Sequence, residues 1–464
     1  MRASAPATTR PRVAWLLYDW ANSAFQTTVV TVLAGPYLTA LAQDAVGANG
    51  VVCDLEPVGV VTAKALFPYA VSLSVIGQVL LLPWLGAVAD HRATRRPLMA
   101  AAGLVGVVAA FALSWVQGAQ YLLGAVLFVV ANMAFGATIV LYNSFLHDVA
   151  TPAERDAVSS RGFALGYLGG GLLLALNLVL IVTRERWGLS QGEAVRLSMR
   201  SAAVWWGVFG AWSVWHLPQD AGMAARADAA GAPVRRWMRL GLHGLAGTWR
   251  ALRALPHTRR FLYAYMTYND GIQTVISIAS VVLAQELFVA RGVPVDDAFL
   301  MTLVLMIQFV AFGGALLCAR LSARLGTARV LASTVGVWAG IVIYAWGWLQ
   351  TTRDAQVMGV VLAVVLGGSQ ALSRSLYSRM IPRGQEAAFF GIYEVSERGT
   401  SWIGPLLFGV VVAHTNSYRA AILSLVVLFV GGLVLLAVTD TDQAERDAER
   451  LPHFPVSSAL RGQG

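Results

Sequence analysis

Among the ionisable side chains inside long apolar runs, six are candidates for a site: Asp19, Asp270, Arg374, Glu394, Glu397 and Arg398. A charge in hydrocarbon is costly, so each needs a partner, a proton or water. Their chemistry is that of binding and proton transfer. A guanidinium fork matches a carboxylate, so Arg374 and Arg398 suit an anionic group. Asp19 and Asp270 can bind an ammonium or carry protons. Alternatively they hold helices together through Asn22, Ser23, Gln273 and Thr274. Glu394 and Arg398 are spaced i, i+4 on one helix face, with Glu397 as a second acid beside Arg398. They form an intrahelical ion pair, or the surplus acid takes up a proton or binds substrate. A site offering both signs suits a zwitterion such as an amino acid.

These residues must be positioned by the apolar runs themselves. Hydrophobic residues make up 57% of the 464-residue chain and charged residues 13%, about half the 25% usual in soluble proteins. Twelve segments are expected, at roughly 13–43, 60–88, 97–117, 120–147, 158–182, 197–217, 260–288, 297–322, 328–350, 355–380, 388–413 and 418–438. They are numbered spans 1 to 12 below. Their length argues for helices, since barrel strands are shorter and alternate.

The formal charge of +9 would suggest nucleic acid in a soluble protein. Here the basic residues lie mostly in short connections, where the orientation rule for membrane proteins accounts for them. With the N-terminus cytoplasmic, about 24 Lys/Arg fall inside and about 7 outside. Arg184, Arg186, Arg196 and Arg200 disagree, lying in an outward loop. The expectation is cytoplasmic termini in a bacterial inner membrane. The organisation is a tail (1–12), a six-helix bundle (13–217), a linker (218–258), a second bundle (259–438) and a cytoplasmic tail (439–464). In the linker, Val234–Leu240 reads as a basic amphipathic segment on the membrane surface.

The halves share polar residues. Tyr18-Asp19-Trp20-Ala21-Asn22-Ser23 in span 1 and Asp270-Gly271-Ile272-Gln273-Thr274 in span 7 both carry an acid, an amide three residues on and a hydroxyl four residues on. Each makes a short polar stripe on one face. Gln26 extends the first. Spans 4 and 10 echo each other more weakly, with Asn143-Ser144 before Pro152 and Ser373-Arg374-Ser375 before Pro382. Parallel repeats of this kind place a substrate site between the halves, near the membrane midplane. Between spans 2 and 3 the chain reads Gly86-Ala87-Val88-Ala89-Asp90-His91-Arg92-Ala93-Thr94-Arg95-Arg96. This resembles the G-x-x-x-D-R/K-x-x-R-R/K signature of the major facilitator superfamily, with His91 displacing the basic residue by one. Asp90 can face a helix N-terminus or an arginine and latch the cytoplasmic side, with Gly86, Arg92, Arg95 and Arg96 around it. The counterpart after span 8, Ala319–Gly326, keeps basic residues and lacks the acid, so the latch is asymmetric.

Leu17-Tyr18-Asp19-Trp20-Ala21-Asn22-Ser23-Ala24-Phe25 resembles the opening helix of the autophagy-related vacuolar effluxer family within that superfamily. Gly162–Gly170, Gly368-Ser369-Gln370-Ala371-Leu372-Ser373-Arg374-Ser375, Phe389–Tyr393 and Gly404-Pro405-Leu406 also match it. The resemblance covers about residues 13 to 438. It implies an all-α membrane protein with the major facilitator fold, twelve transmembrane helices in two pseudo-symmetric six-helix bundles. The yeast namesake exports amino acids, so the resemblance makes an amino acid the first choice of substrate. The candidate substrate or coupling residues are Asp19, Asn22, Ser23, Gln26, Asn143, Asp270, Gln273, Thr274, Gln370, Arg374, Glu394, Glu397 and Arg398.

The expected activity is secondary transport by alternating access, coupled to protons, by a monomer whose partners are the lipid bilayer, a small-molecule substrate and protons. A transporter of another class (sugar, drug or lipid) and a non-transporting receptor with the same fold are the alternatives. No enzyme activity, cofactor, metal or nucleic-acid partner is expected. Cys53 and Cys318 have no metal-type spacing. No G-x-x-x-x-G-K-[ST] loop points to ATP. His147-Asp148 has no further ligands near it in sequence. Gly162, Gly166 and Gly170 recur every fourth residue in span 5, which suits close helix packing.

Overall fold

The computed structural model describes residues 9–47, 50–55, 59–92, 94–218, 246–293, 297–398, 403–415 and 417–450. The Val234–Leu240 stretch lies outside the described residues, as does the side chain of Arg92. All twelve expected segments carry helix. In hydrocarbon each backbone N–H and C=O must be paired within the protein, and a helix does this within one segment. Among the described residues, nine helical stretches are long and apolar enough to cross a membrane. The other three segments are also helical: Gln191–His216 for span 6, Pro256–Leu287 for span 7, and Glu386–Arg398 with Ile403–Thr415 for span 11. Span 6 is less apolar because it carries Glu193, Arg196 and Arg200, and span 7 because it carries the polar groups discussed above; span 11 is described as two helices of 13 residues each.

Local structure departs from plain helices in four places. Span 1 runs as Thr9–Ala24, a π-helix over Phe25–Leu33, and Ala34–Val46. Within the π segment the Thr31 hydroxyl donates to the Gln26 carbonyl at 2.9 Å, five residues back, and such segments often mark functional sites. Span 12 divides into Tyr418–Ser424 and Val426–Ala437. The connection after span 1 forms an antiparallel hairpin, β1 (Val51–Leu55) with β2 (Gly59–Thr62). Its valines favour pleated backbone. Finally, the C-terminal stretch expected as a tail contains a helix, Thr441–Arg450, whose Ala444 and Ala448 are buried.

By contacts the chain divides into two compact units. The first comprises 1–82, 95–142 and 165–219; the second comprises 83–94, 143–164 and 220–464. In the first unit, span 1 packs on span 6 and span 3 on span 6. In the second, span 7 packs on span 12 and span 9 on span 12. These pairs repeat with an offset of six, as a duplicated bundle requires. The first core is aromatic, with Phe25, Phe128 and Trp206 fully buried. The span 5 glycines are packing residues. A Cβ on Gly166 would meet the Ser23 hydroxyl at 2.7 Å, and one on Gly170 the Thr27 hydroxyl at 2.6 Å.

Candidate functional site

In the second unit, spans 4, 10 and 11 bring charges together around one amide. Arg374 is 3% exposed and Glu394 2%. The Arg374 Nη1 donates to Asn143 Oδ1 at 3.3 Å, and Asn143 Nδ2 donates to Glu394 Oε1 at 3.1 Å. Arg398 Nε then donates to Glu394 Oε2 at 3.3 Å, the expected i, i+4 pair. The result is a string of cation, amide, anion and cation, buried up to Glu394 and half-buried at Arg398. Arg374 is fixed in it by Ser159: Nε donates to the hydroxyl and Nη2 to the carbonyl, each at 2.9 Å. The guanidinium also lies 4.1 Å from the centre of the Phe163 ring, a favourable cation–π placement. Glu397 accepts from the Tyr265 hydroxyl at 2.8 Å. Tyr265 stacks on Tyr393 at 4.3 Å between ring centres, and Tyr393 on Tyr377 at 5.0 Å. Gln370 is half-buried nearby on span 10 in sequence.

Asp19 has a different setting, in the first unit. It is buried and accepts from the Tyr142 hydroxyl at 2.7 Å. Tyr142 stacks between Trp15 and Tyr18, at 4.5 and 5.2 Å, and its carbonyl accepts from the Trp15 indole at 2.9 Å. Asn22 is buried, and its Nδ2 finds no partner among the described residues. Ser23 is half-buried and Gln26 exposed.

Asp270 ties span 7 to span 11. Its Oδ2 accepts from the Gly404 backbone N–H at 2.7 Å, in the described helix Ile403–Thr415. Thr274 turns its hydroxyl back to the Asp270 carbonyl at 2.7 Å, and a Cβ on Gly404 would meet it at 2.1 Å. Gln273 is half-buried.

The loop between spans 2 and 3 separates into two contacts. Asp90 accepts from the backbone N–H groups of Ala387 and Ala388, at 3.0 and 2.7 Å, in the first turn of Glu386–Arg398. Gly86 lies against the same turn, where a Cβ would be 2.1 Å from the Ala387 carbonyl oxygen. Arg96 points elsewhere, donating to the carbonyls of Trp215 and Leu217 at 2.6 and 3.3 Å. It caps the C-terminus of span 6, where a cation is favoured. Arg96→Ala is therefore expected to cost about 1 kcal/mol of stability, read as a small fall in Tm, with transport by the folded protein kept. Arg95 is half-buried.

Sequence reading missed a second charged group. Asp156, at the start of span 5, accepts from the Ser375 hydroxyl at 2.5 Å, from Arg379 Nη2 at 2.6 Å and from the Thr327 hydroxyl. Arg379 also reaches Glu445 of the C-terminal helix at 3.8 Å. Burial raises the Glu445 carboxyl above its usual range, although Arg379 opposes this. The signal available was position: Asp156 and Arg379 flank the paired Pro152 and Pro382.

The fold is that of the major facilitator transporters. The human organic anion transporter MFSD10 matches with a TM-score of 0.65 at 14% identity, over 93% of this chain and 100% of that one. The fucose:proton symporter of E. coli matches with a TM-score of 0.60 at 11% identity, over 94% and 99%. The chain thus has the major facilitator fold, with nine helical stretches among the described residues long and apolar enough to cross a membrane. It belongs to the vacuole effluxer Atg22-like family, whose sequence profile matches residues 7–449. The MFS-type transporter YxiO of Bacillus subtilis is 28% identical over 449 residues, covering 95% of this chain and 98% of that protein. Autophagy-related protein 22 of Yarrowia lipolytica is 25% identical over 478 residues, covering 86% and 80%.

Proposed function

We propose that this protein is a secondary transporter that moves an amino acid across a bacterial inner membrane by alternating access, coupled to protons. The observation that carries the reading is the string Arg374–Asn143–Glu394–Arg398, whose first three members are buried. Arg374 and Glu394 meet through the Asn143 amide. A zwitterion that displaces this amide would offer its carboxylate to Arg374 and its ammonium to Glu394. The guanidinium fork suits the carboxylate, and low polarity around the site strengthens both contacts. The resemblance to vacuolar amino-acid effluxers supports the same substrate class. Acids buried in spans 1, 7 and 11 supply candidates for the coupling proton.

The bias of arginines supports cytoplasmic termini. In that orientation Asp90 and Gly86 latch the cytoplasmic end of span 11, and Asp156 with Arg379 adds a second tie. Opening that side requires both contacts to break.

Proteoliposomes test this. Labelled amino acids should exchange across the bilayer, and a pH gradient should drive their accumulation. Exchange of sugars or organic anions with no amino acid moved would replace the substrate class. Exchange insensitive to the gradient would remove proton coupling.

A further inference from the structure

Of the acids in spans 1, 7 and 11 discussed above, Asp19, Asp270 and Glu394 are buried and Glu397 is half-buried, and all but Asp270 have the partners that a carboxylate needs. Both oxygens of Glu394 are engaged, by Asn143 and Arg398. Asp19 is held by Tyr142 and Glu397 by Tyr265. Asp270 differs. It is 1% exposed. One oxygen accepts from Gly404, while Oδ1 is buried with no hydrogen-bond partner among the described residues. A buried polar atom in that state is costly, and a charged one more so.

We infer that Asp270 is the seat of the coupling proton, and that span 11 senses its charge through the Gly404 amide; this rests on the proton-coupled reading above. Size discriminates among ligands. Oδ1 has less than 1 Å² of accessible surface, so a solute ammonium cannot reach it in this arrangement. A proton needs no room. The neighbours supply no competing charge. Span 10 brings Arg374, held at Ser159 and Asn143, and Tyr377, donating to the Phe389 carbonyl. Span 11 brings Glu394, Glu397 and Arg398, partnered as described, and His414, paired with the Val410 carbonyl. Span 12 brings Arg419, which is bound to Glu286. On span 7 itself the Tyr268 hydroxyl is paired with Ser373. The C-terminal helix places Glu445 on Arg379.

The consequence follows from this bond. An ionised Asp270 holds the Gly404 N–H of Ile403–Thr415 by a charge-assisted bond. Protonation on Oδ1 removes the charge and weakens that hold. Span 11 also carries Glu394 and Arg398, so proton and solute bias one helix pair. The proton itself enters and leaves in another arrangement of the helices, since Oδ1 is closed off in this one.

The test uses the full chain in proteoliposomes with an entrapped pH-sensitive dye. In the wild type, gradient-driven solute accumulation and proton movement accompany each other. In Asp270→Asn, accumulation is lost and whatever solute counterflow remains moves no protons. In Asp270→Glu, coupling persists with its pH profile displaced. Gradient-driven accumulation by Asp270→Asn would overturn the inference. If Asp270→Asn does not fold, an unmoved pH profile in Asp270→Glu overturns it instead. A wild type that exchanges solute without responding to the gradient would fail the proton-coupled reading, a result distinct from either variant's.

Discussion

Arg374→Lys is expected to lower initial rates of transport about a hundredfold while the protein stays folded. Lysine keeps the charge but loses the planar fork. The Arg374 guanidinium makes two bonds of 2.9 Å to Ser159 and one of 3.3 Å to Asn143. A single ammonium on a flexible stem cannot keep all three directions. Losing two bonds to a charged group, at about 1.5 kcal/mol each, amounts to about 3 kcal/mol, or about two decades in rate. Arg374→Ala is harsher, because Asn143 and Ser159 then lose a buried partner, which costs about 3–5 kcal/mol in comparable cases. Uptake rates read beside a size-exclusion profile separate the two effects. Wild-type rates in Arg374→Lys would remove this side chain from the site.

Gly86→Ala is the second large effect. Its Cβ would sit 2.1 Å from the Ala387 carbonyl oxygen, 2.6 Å from the carbonyl carbon and 2.9 Å from Ala388 Cα. These are backbone atoms at the start of a helix, with no side-chain rotamer to absorb the clash. The loop and the helix must part, and the two Asp90 bonds part with them. Asp90→Ala removes those same bonds directly, at about 2 kcal/mol, the upper range for a helix cap. Both variants are expected to lose transport at least tenfold. Because they break one contact, the double variant should be no worse than the worse single one. Additive losses would show that Gly86 and Asp90 act independently.

Much of this was legible in the sequence because membrane burial makes polar residues conspicuous. Asp19, Asp270, Arg374, Glu394 and Arg398 stand out by type alone, and i, i+4 spacing identified the Glu394–Arg398 pair. Asp90 could be matched to a helix N-terminus by its motif. Residues of ordinary type were harder. Ser159, Tyr142 and Tyr265 hold the charged groups, but serines and tyrosines are common in spans, and only packing brings them near. Asn143 carried a weak repeat signal; its place between Arg374 and Glu394 needs three helices to converge. Arg96 looked like part of the Asp90 motif because it is six residues away. It belongs to the next helix, Arg95–Leu113, and binds the end of span 6 instead. The bond from Gly404 to Asp270 spans 134 residues, a distance that no local pattern reports. The helix at Thr441–Arg450 was hidden by its charges, since its buried face is only Ala444 and Ala448.

The most direct test of the central claim is recognition of both ends of an amino acid at once. In proteoliposomes the uptake of a labelled neutral amino acid is measured against three competitors: the same amino acid unlabelled, its methyl ester and its N-acetyl form. The ester lacks the charge meant for Arg374, and the N-acetyl form lacks the charge meant for Glu394. The predicted result is competition by the free amino acid alone, with both derivatives weaker by at least tenfold. Equal competition by either derivative would contradict a site built to hold a zwitterion between Arg374 and Glu394.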